Sequence, residues 1–184
     1  ELPFSMYQVQ WKFRNELRSK SGIMRGREFL MKDMYSISLT QEQHDEYYAK
    51  VKQAYIKVYD RLGIGENTYY AFASGGSFSK YSHEFQTLSD VGEDTIFISR
   101  EKKIAVNKEV LEDDILAELG VKREELEEVR AIEVGNIFGL GTKFSAPFDL
   151  SVTDENGTKH TVIMGCYGIG VTRVMGTIAE LMSD

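Results

Sequence analysis

Two pairs of residues near the start of the chain have the spacing of an anion-binding hairpin. Arg14 and Glu16 are two residues apart on a predicted strand, so their side chains share one face, and Phe29 and Met31 have the same spacing on the predicted returning strand. Arg25 lies in the loop between them, four residues before Phe29. If both pairs face one cleft, its floor combines a fixed cation, an acid and a ring that can stack, and Arg25 can fold over a polyphosphate tail. The alternative is a solvated basic hairpin with a phenylalanine in the core.

A glycine-rich run near the other end of the chain is the second candidate for anion binding. Gly165-Cys166-Tyr167-Gly168-Ile169-Gly170 is predicted as a turn that leads into a closing helix over residues 171–182. The free N–H groups of a helix N-terminus suit an anion. The glycine order is neither that of a dinucleotide fingerprint nor that of a phosphate loop, so an ordinary strand-to-helix turn stays open. Arg173 favours a ligand, because a guanidinium in the first helical turn opposes the helix dipole unless something negative or aromatic lies against it.

Alternation of apolar and polar residues over 7–14 predicts a half-buried strand, and residues 28–37 form its antiparallel successor. Residues 17–27 are then a long, basic hairpin loop. Thr40 and Gln43 make a capping-box pattern that starts a helix, and Gly63 is its C-cap. The apolar face of this helix is predicted at helical spacing: Tyr48, Val51, Tyr55, Val58 and Leu62.

The remaining elements indicate the fold class. Short strands are predicted at 68–73, 84–88, 95–99 and 129–134, an acidic helix at 108–119, and a hairpin of 148–152 with 158–164 that turns at Asn156-Gly157. Strands outnumber helices and mostly follow one another directly. This favours an α+β domain with an antiparallel β-sheet flanked by helices. His44 and His160 are predicted to be surface residues on the first helix and on the last hairpin.

Composition limits the class of protein. The chain has 184 residues, 42% of them hydrophobic, which fits one globular domain. No apolar run approaches the roughly 20 residues that span a bilayer, so no membrane partner is expected. The single cysteine, Cys166, excludes an internal disulfide and a zinc site built on several thiolates, and predicts a reducing, cytoplasmic compartment.

Net charge needs a closer look than its total of −7, which at first argues against a nucleic-acid partner. Residues 109–128 hold nine acids and two bases and carry the whole −7. Residues 1–40 hold seven bases and four acids, a local charge of +3. An anionic ligand is therefore expected at the basic beginning of the chain.

Several of these segments resemble a known family. The residues around Arg14 together with 25–33 resemble motif 2 of class II aminoacyl-tRNA synthetases, and 165–173 with the closing helix resembles motif 3. The amino-acid sequence is similar to that of bacterial-type prolyl-tRNA synthetases at residues 7–14, 82–86, 92–97, 132–138, 141–144 and 164–170. A sister class II synthetase of the threonyl or seryl type, and a non-catalytic synthetase-like paralogue, remain the alternatives.

The resemblance implies an activity and roles for its residues. Such an enzyme activates L-proline with ATP, giving prolyl-adenylate and pyrophosphate, and then transfers proline to tRNA(Pro). ATP enters as its Mg²⁺ complex, with no zinc and no organic cofactor, and the full-length enzyme is expected to be a homodimer. Arg14 would hold the α-phosphate and the proline carboxylate, Arg25 the γ-phosphate, and Phe29 the adenine, with Arg173 on the other side of the nucleotide. Glu16 would read adenine or an amino group.

Two further groups of residues follow from the resemblance. Glu84 and Gln86 would contribute to Mg²⁺ or ribose binding, Glu84 being the candidate metal ligand. The proline pocket would be small and mostly apolar, built beside Arg14 by Met31, His83, Cys166 and Gly168. Cys166 has no evident partner base, so a nucleophilic role is not expected.

The domain expectation is that residues 1–184 form part of a single class II catalytic domain. Residues 1–40 hold the motif 2 hairpin, about 100–130 a short acidic insert in place of an editing domain, and 164–183 the motif 3 strand, turn and helix. Motif 1, the loop that recognises the proline imino group and the anticodon-binding domain are missing, which predicts an excised piece that is inactive alone. Clearance of alanyl-tRNA by an editing domain of this protein is expected to be lost. The ATP contacts of the Gly75-Gly76-Ser77 loop are left open.

Overall fold

The computed structural model describes residues 2–76 and 81–183; Ser77, which belongs to the loop left open above, lies outside them. The elements in chain order are β1 (Phe4–Phe13), β2 (Glu28–Ser38), α1 (Gln41–Arg61), β3 (Thr68–Ser74), β4 (Tyr81–Leu88), β5 (Asp94–Ser99), β6 (Ile104–Asn107), α2 (Asp113–Glu118), β7 (Glu127–Gly141), β8 (Ser151–Thr153), β9 (Lys159–Thr161), β10 (Ile163–Gly170) and α3 (Val171–Leu181). Within these residues no helix is both long and apolar enough to cross a membrane.

One large sheet organises the molecule. Its strand order is β1-β2-β10-β7-β4-β3-β6-β5, and β5 also pairs with β7, so the last five strands close into a ring. Every pairing is antiparallel except that of β3 with β6. The α+β prediction is thereby confirmed. Strand β6 was not predicted, and β7 is much longer than the predicted 129–134.

Helix α1 starts and ends where its capping residues predict. Thr40 Oγ1 accepts from the Gln43 N–H at 3.2 Å, and Gly63 has φ of 76°, the left-handed conformation of a helix C-terminus. The predicted apolar face was partly wrong: Val58 and Leu62 are exposed. The buried positions are His44, Val51, Tyr55 and Tyr59. The helix face is therefore centred on the tyrosines, and it packs on Phe85 and Tyr167 of the sheet.

His44 is buried rather than exposed, which corrects the prediction of a surface histidine. Gly139 explains how it fits, because a Cβ there would lie 3.1 Å from His44 Nε2. Desolvation lowers the pKa of the imidazole, which favours its neutral form. His160, the other histidine predicted on the surface, is half-buried in the β8–β9 hairpin and contacts Asp154 at 2.8 Å.

Strand β1 forms the free edge of the sheet and is exposed over all its residues except Lys12, which is half-buried. The prediction of a half-buried strand was wrong here. Helix α1 packs on β2 and β10 instead, so neither face of β1 gains a covering layer. Apolar side chains remain exposed on both faces, among them Met6 on one face and Tyr7 and Trp11 on the other.

The glycine-rich run at 165–170 is the main correction to the sequence analysis, because it is not a turn. It is the inner strand β10, between β2 and β7. Its glycines mark close approaches rather than a bend. A Cβ on Gly165 would lie 2.3 Å from the Tyr167 hydroxyl, and a Cβ on Gly168 would lie 3.0 Å from Met31 Cε. The chain then enters α3 directly.

The segment of residues 100–130, which contains the cluster of acidic residues, is part of the fold rather than an appendage. Its helix is shorter than predicted: α2 has only six residues, preceded by a 3-10 turn at Lys108–Val110. Ile115 and Leu116 are buried against Val106 of β6. The segment thus supplies β6, which closes the ring, and a small apolar cluster that supports it.

Candidate functional site

The strand register places most predicted site residues on one side of the sheet. Lys12 lies opposite Phe29, Met31 opposite Gly170, and Asp33 opposite Gly168. Residues directly opposite each other in antiparallel strands point to the same face. We call this side, which faces away from α1, the open face. The other side is marked by Lys32, whose Nζ donates to the Tyr55 hydroxyl of α1 at 2.5 Å.

Arg14 and Phe29 meet at the outer end of the open face. The guanidinium carbon of Arg14 is 5.0 Å from the centre of the Phe29 ring, a cation–π arrangement. The prediction that Arg14 and Glu16 lie on a strand was wrong, because β1 ends at Phe13. The Arg14 N–H continues the pairing by donating to the Arg27 carbonyl at 2.9 Å, and this contact keeps the arginine over the ring.

Arg25 lies between two carboxylates. Its Nη1 donates to Glu93 Oε2 at 2.6 Å, and its Nε is 3.2 Å from Glu16 Oε2. Lys20 Nζ reaches the other oxygen of Glu93 at 3.3 Å. The hydrogen bond from Arg25 lowers the pKa of Glu93 against the opposing effect of burial, and it raises the pKa of Arg25. Sequence reasoning did not single out Glu93; its position in the Gly92-Glu93-Asp94 run was the only signal.

Arg173 has the negative neighbour that its place in the helix requires. Its Nη1 donates to the carbonyl and to a carboxylate oxygen of Glu133, at 3.1 and 3.4 Å, and its Nε donates to the Met24 carbonyl at 2.9 Å. Burial raises the pKa of Glu133, an effect opposed by Arg173 and Arg14. Glu133 thus links Arg173 electrostatically to Arg14. It is a second residue that the sequence analysis missed.

Glu84 and Gln86 lie together on β4, which is part of the ring of five strands. Gln86 Nε2 donates to Glu84 Oε2 at 2.8 Å and to Asp94 Oδ2 at 2.9 Å, and Asn107 Nδ2 donates to the same Glu84 oxygen at 3.1 Å. Desolvation first, and then the Glu133 carboxylate, raises the pKa of Glu84 to about 8. Across the described parts of the chain, no group of three or more His, Cys, Asp or Glu side chains has the arrangement of a metal site. A role in Mg²⁺ binding therefore rests on Glu84 acting together with ATP oxygens.

His83 does not join the other pocket residues. It pairs with Ile137, on the α1 side of the sheet, where Tyr48 contacts its Nδ1 at 2.8 Å and Tyr70 stacks on its ring at 4.5 Å. The alternation of a strand gives the reason, because His83 and Glu84 are adjacent and must point to opposite faces. Burial, with a smaller effect of Lys52, lowers the pKa of His83 to about 4, so it is a neutral packing residue.

The other three pocket candidates do come together. Met31 and Gly168 are on neighbouring strands, and Cys166 follows on the same face opposite Tyr35. Burial raises the pKa of the Cys166 thiol, which opposes a nucleophilic role. Asp33 belongs with them and was missed. It is 6% exposed, and its Oδ2 accepts from Lys12 at 2.9 Å and from Gln8 at 3.2 Å. Its period-2 spacing from Phe29 and Met31 was the available signal.

Comparison with known proteins shows the family to which a chain with these site residues belongs. The model of the tRNA synthetase class II core domain, which covers the G, H, P, S and T enzymes, matches residues 1–182. The chain belongs to this family. Among curated relatives, the synthetase core is 40% identical to proline–tRNA ligase of Rhodospirillum rubrum over 203 aligned residues, covering all of this chain and 46% of that protein. It is 36% identical to proline–tRNA ligase of Anaplasma marginale over 197 residues, and again 46% of that protein is covered.

A third relative comes from an animal. The synthetase core is 40% identical over 185 residues to the probable mitochondrial proline–tRNA ligase of Rattus norvegicus, which is covered over 38% of its length. The chain thus spans less than half the length of these relatives. The family assignment concerns the core domain, and the activity of a whole enzyme is a separate question.

Proposed function

We propose that the full-length protein carrying this synthetase core is a proline–tRNA ligase. It forms prolyl-adenylate from L-proline and ATP and transfers the prolyl group to tRNA(Pro). The placement of Arg14 over Phe29 carries the ATP half of the proposal, because one hairpin then offers a stacking ring for adenine and a fixed cation for the phosphate next to it. The choice of proline is supported by the names of the relatives.

Activation needs positioning and charge stabilisation rather than a protein nucleophile. An oxygen of the proline carboxylate attacks the α-phosphorus, a new P–O bond forms, and the bond to the β-phosphate oxygen breaks as pyrophosphate leaves. Negative charge on the α-phosphate oxygens grows during this step, and the Arg14 guanidinium stabilises it. Arg25 holds the γ-phosphate. Arg173 covers the side of the nucleotide opposite Phe29, positioned for it by Glu133 and Met24.

The amino acid lies deeper on the open face. Met31, Gly168 and Cys166 form a floor with little polar surface, as proline requires, and Arg14 takes the carboxylate. His83 supports this floor from the α1 side by bracing Tyr48 and Tyr70, rather than by touching proline. Glu84 and Gln86 bind the Mg²⁺ or the ribose of ATP, and Glu16 reads the adenine or an amino group.

In the second step the terminal hydroxyl of tRNA attacks the prolyl carbonyl carbon and AMP leaves. We further propose that the full-length enzyme is a homodimer and works in the cytoplasm. The unpaired outer edge of β1 and its exposed apolar side chains support a covering partner at this end of the sheet. The single free thiol, Cys166, supports a reducing compartment.

ATP–pyrophosphate exchange by the full-length protein tests the proposal. With proline, threonine, serine and alanine offered separately, proline should support the fastest exchange. Exchange that depends on threonine or serine instead would favour a sister class II synthetase. No exchange with any amino acid would favour a non-catalytic paralogue and would overturn the proposal.

A further inference from the structure

We infer that Glu93 is a positioning residue that holds Arg25 and the loop of residues 17–27 through ion pairs, and that the ATP triphosphate takes its place on Arg25. The inference rests on the proposed function, because it assigns a new residue to the handling of ATP. Arg25 is the cation assigned to the γ-phosphate, and its guanidinium is engaged by the carboxylates of Glu16 and Glu93.

The contacts of Glu93 tie the loop down at two points. One carboxylate oxygen accepts from Arg25 Nη1 at 2.6 Å, and the other is 3.3 Å from Lys20 Nζ. The backbone brings these two cations together, because the Lys20 N–H donates to the Arg25 carbonyl at 3.1 Å. A single carboxylate thus contacts both basic residues of the short paired segment in this loop.

The turn that carries Glu93 is anchored in the sheet. The Gly92 carbonyl accepts from the Arg130 guanidinium of β7, and a Cβ on Gly92 would lie 2.2 Å from the Ala131 carbonyl oxygen. Only glycine fits this close approach. Asp94, the residue after Glu93, begins β5 and accepts a hydrogen bond from Gln86. Glu93 is therefore presented from a fixed platform, whereas its partners lie on a loop.

A phosphate group cannot simply be added to this arrangement. A carboxylate at 2.6 Å from Arg25 would lie next to the incoming γ-phosphate, and two anions at that separation repel each other. Arg25 also keeps its Nε without a hydrogen-bond partner, 3.2 Å from Glu16. This donor can be taken up by a phosphate oxygen once the guanidinium turns away from Glu93. The exchange of one anion for another fits these two observations.

Removing the charge of Glu93 distinguishes two roles: Glu93 either competes with the γ-phosphate for Arg25 or prepares Arg25 to bind it. In the Glu93→Gln variant the ion pairs of Glu93 with Arg25 and Lys20 no longer have to be broken, so ATP should bind roughly two- to five-fold tighter, the range of a partly exposed ion pair. If Glu93 instead prepares Arg25 for the phosphate, the same variant should bind ATP more weakly. The matched control is Asp90→Asn, which removes one charge from an exposed acid three residues away.

Two measurements on the full-length protein complete the test. The first is ATP affinity by titration calorimetry for the wild type, Glu93→Gln and Asp90→Asn. The second is amide hydrogen exchange without ligand, in which the Lys20 and Met24 amides, both hydrogen-bonded inside the loop, should exchange faster only in Glu93→Gln.

Weaker ATP binding by Glu93→Gln, equal tightening by both variants, or unchanged amide exchange would each overturn the inference. A wild-type protein that binds no ATP would instead refute the proposed function, and the amide exchange would still show whether Glu93 holds the loop.

Discussion

Gly165→Ala should destabilise the protein strongly, although it adds only one methyl group. Gly165 is buried in β10, and its Cβ would lie 2.3 Å from the Tyr167 hydroxyl and 2.8 Å from Ser36 Oγ. These two oxygens are hydrogen-bonded to each other at 2.8 Å inside the molecule. The methyl group must therefore displace the Tyr167 ring or break the bond between two buried hydroxyls.

The magnitude follows from these two effects. Overpacking of a core costs about 1–3 kcal/mol, and a buried polar group left without its partner costs about 1–3 kcal/mol. We expect the free energy of unfolding to fall by about 3 kcal/mol, which corresponds to a drop in Tm of roughly 6–12 °C at this chain length. The full effect requires that Tyr167 stay in place, where it also packs on Tyr47 and Tyr48 of α1.

Urea unfolding of Gly165→Ala and Gly170→Ala, followed by circular dichroism, checks this prediction. Gly170 ends the same strand, and its Cβ would come no closer than 3.4 Å, to Arg173 Cβ, so its replacement should cost less than about 1 kcal/mol. Equal stability of the two variants would refute the reading of the glycines in β10 as sites of close approach.

Three further predictions concern the site and its surroundings. Phe29→Leu should raise the KM for ATP roughly 5- to 30-fold by removing about 1–2 kcal/mol of stacking, whereas Phe29→Tyr should keep most of the affinity in exchange kinetics. The contribution of His83 to stability should fall as the pH drops from 6.5 towards 4, because His83 has a folded-state pKa lowered to about 4 and the unfolded chain binds the proton more readily. The loss is up to about 3 kcal/mol; His83→Phe should lack it in urea unfolding at each pH, and an unchanged pH dependence would contradict the assignment. Glu84 has a raised folded-state pKa of about 8, so its contribution to stability is present below pH 4.5 and is lost as the pH rises through 8, a decline that Glu84→Gln should flatten in the same assay.

Local patterns predicted the pairing of β1 with β2, although not the exposure of β1 or its end before Arg14. Alternation and loop length are properties of neighbouring residues, so β2, the start of α1 and the meeting of Arg14 with Phe29 could all be predicted. The glycine run could not be read in the same way. Glycine is typical of turns, and only the positions of Tyr167 and Met31, which come from long-range packing, show that β10 needs glycine for lack of space.

The missed residues have a similar explanation. Glu93 and Glu133 are ordinary acids in the sequence, and their importance depends on which arginine the fold brings to them, across 68 residues for Arg25 and 40 for Arg173. His83 was assigned to the pocket because its whole motif matched the family. Strand alternation alone would have shown that it and Glu84 face opposite sides.

Single-turnover formation of prolyl-adenylate by the full-length protein tests the central claim most directly. The wild type is compared with Arg14→Ala and with Arg18→Ala, which replaces an exposed arginine four residues later in the chain. We predict that proline and ATP give adenylate with the wild type and with Arg18→Ala, and that Arg14→Ala loses at least about a hundred-fold in rate, the effect of removing one group that stabilises transition-state charge. Equal rates for the two variants, or no prolyl-adenylate with any of the three proteins, would contradict the account.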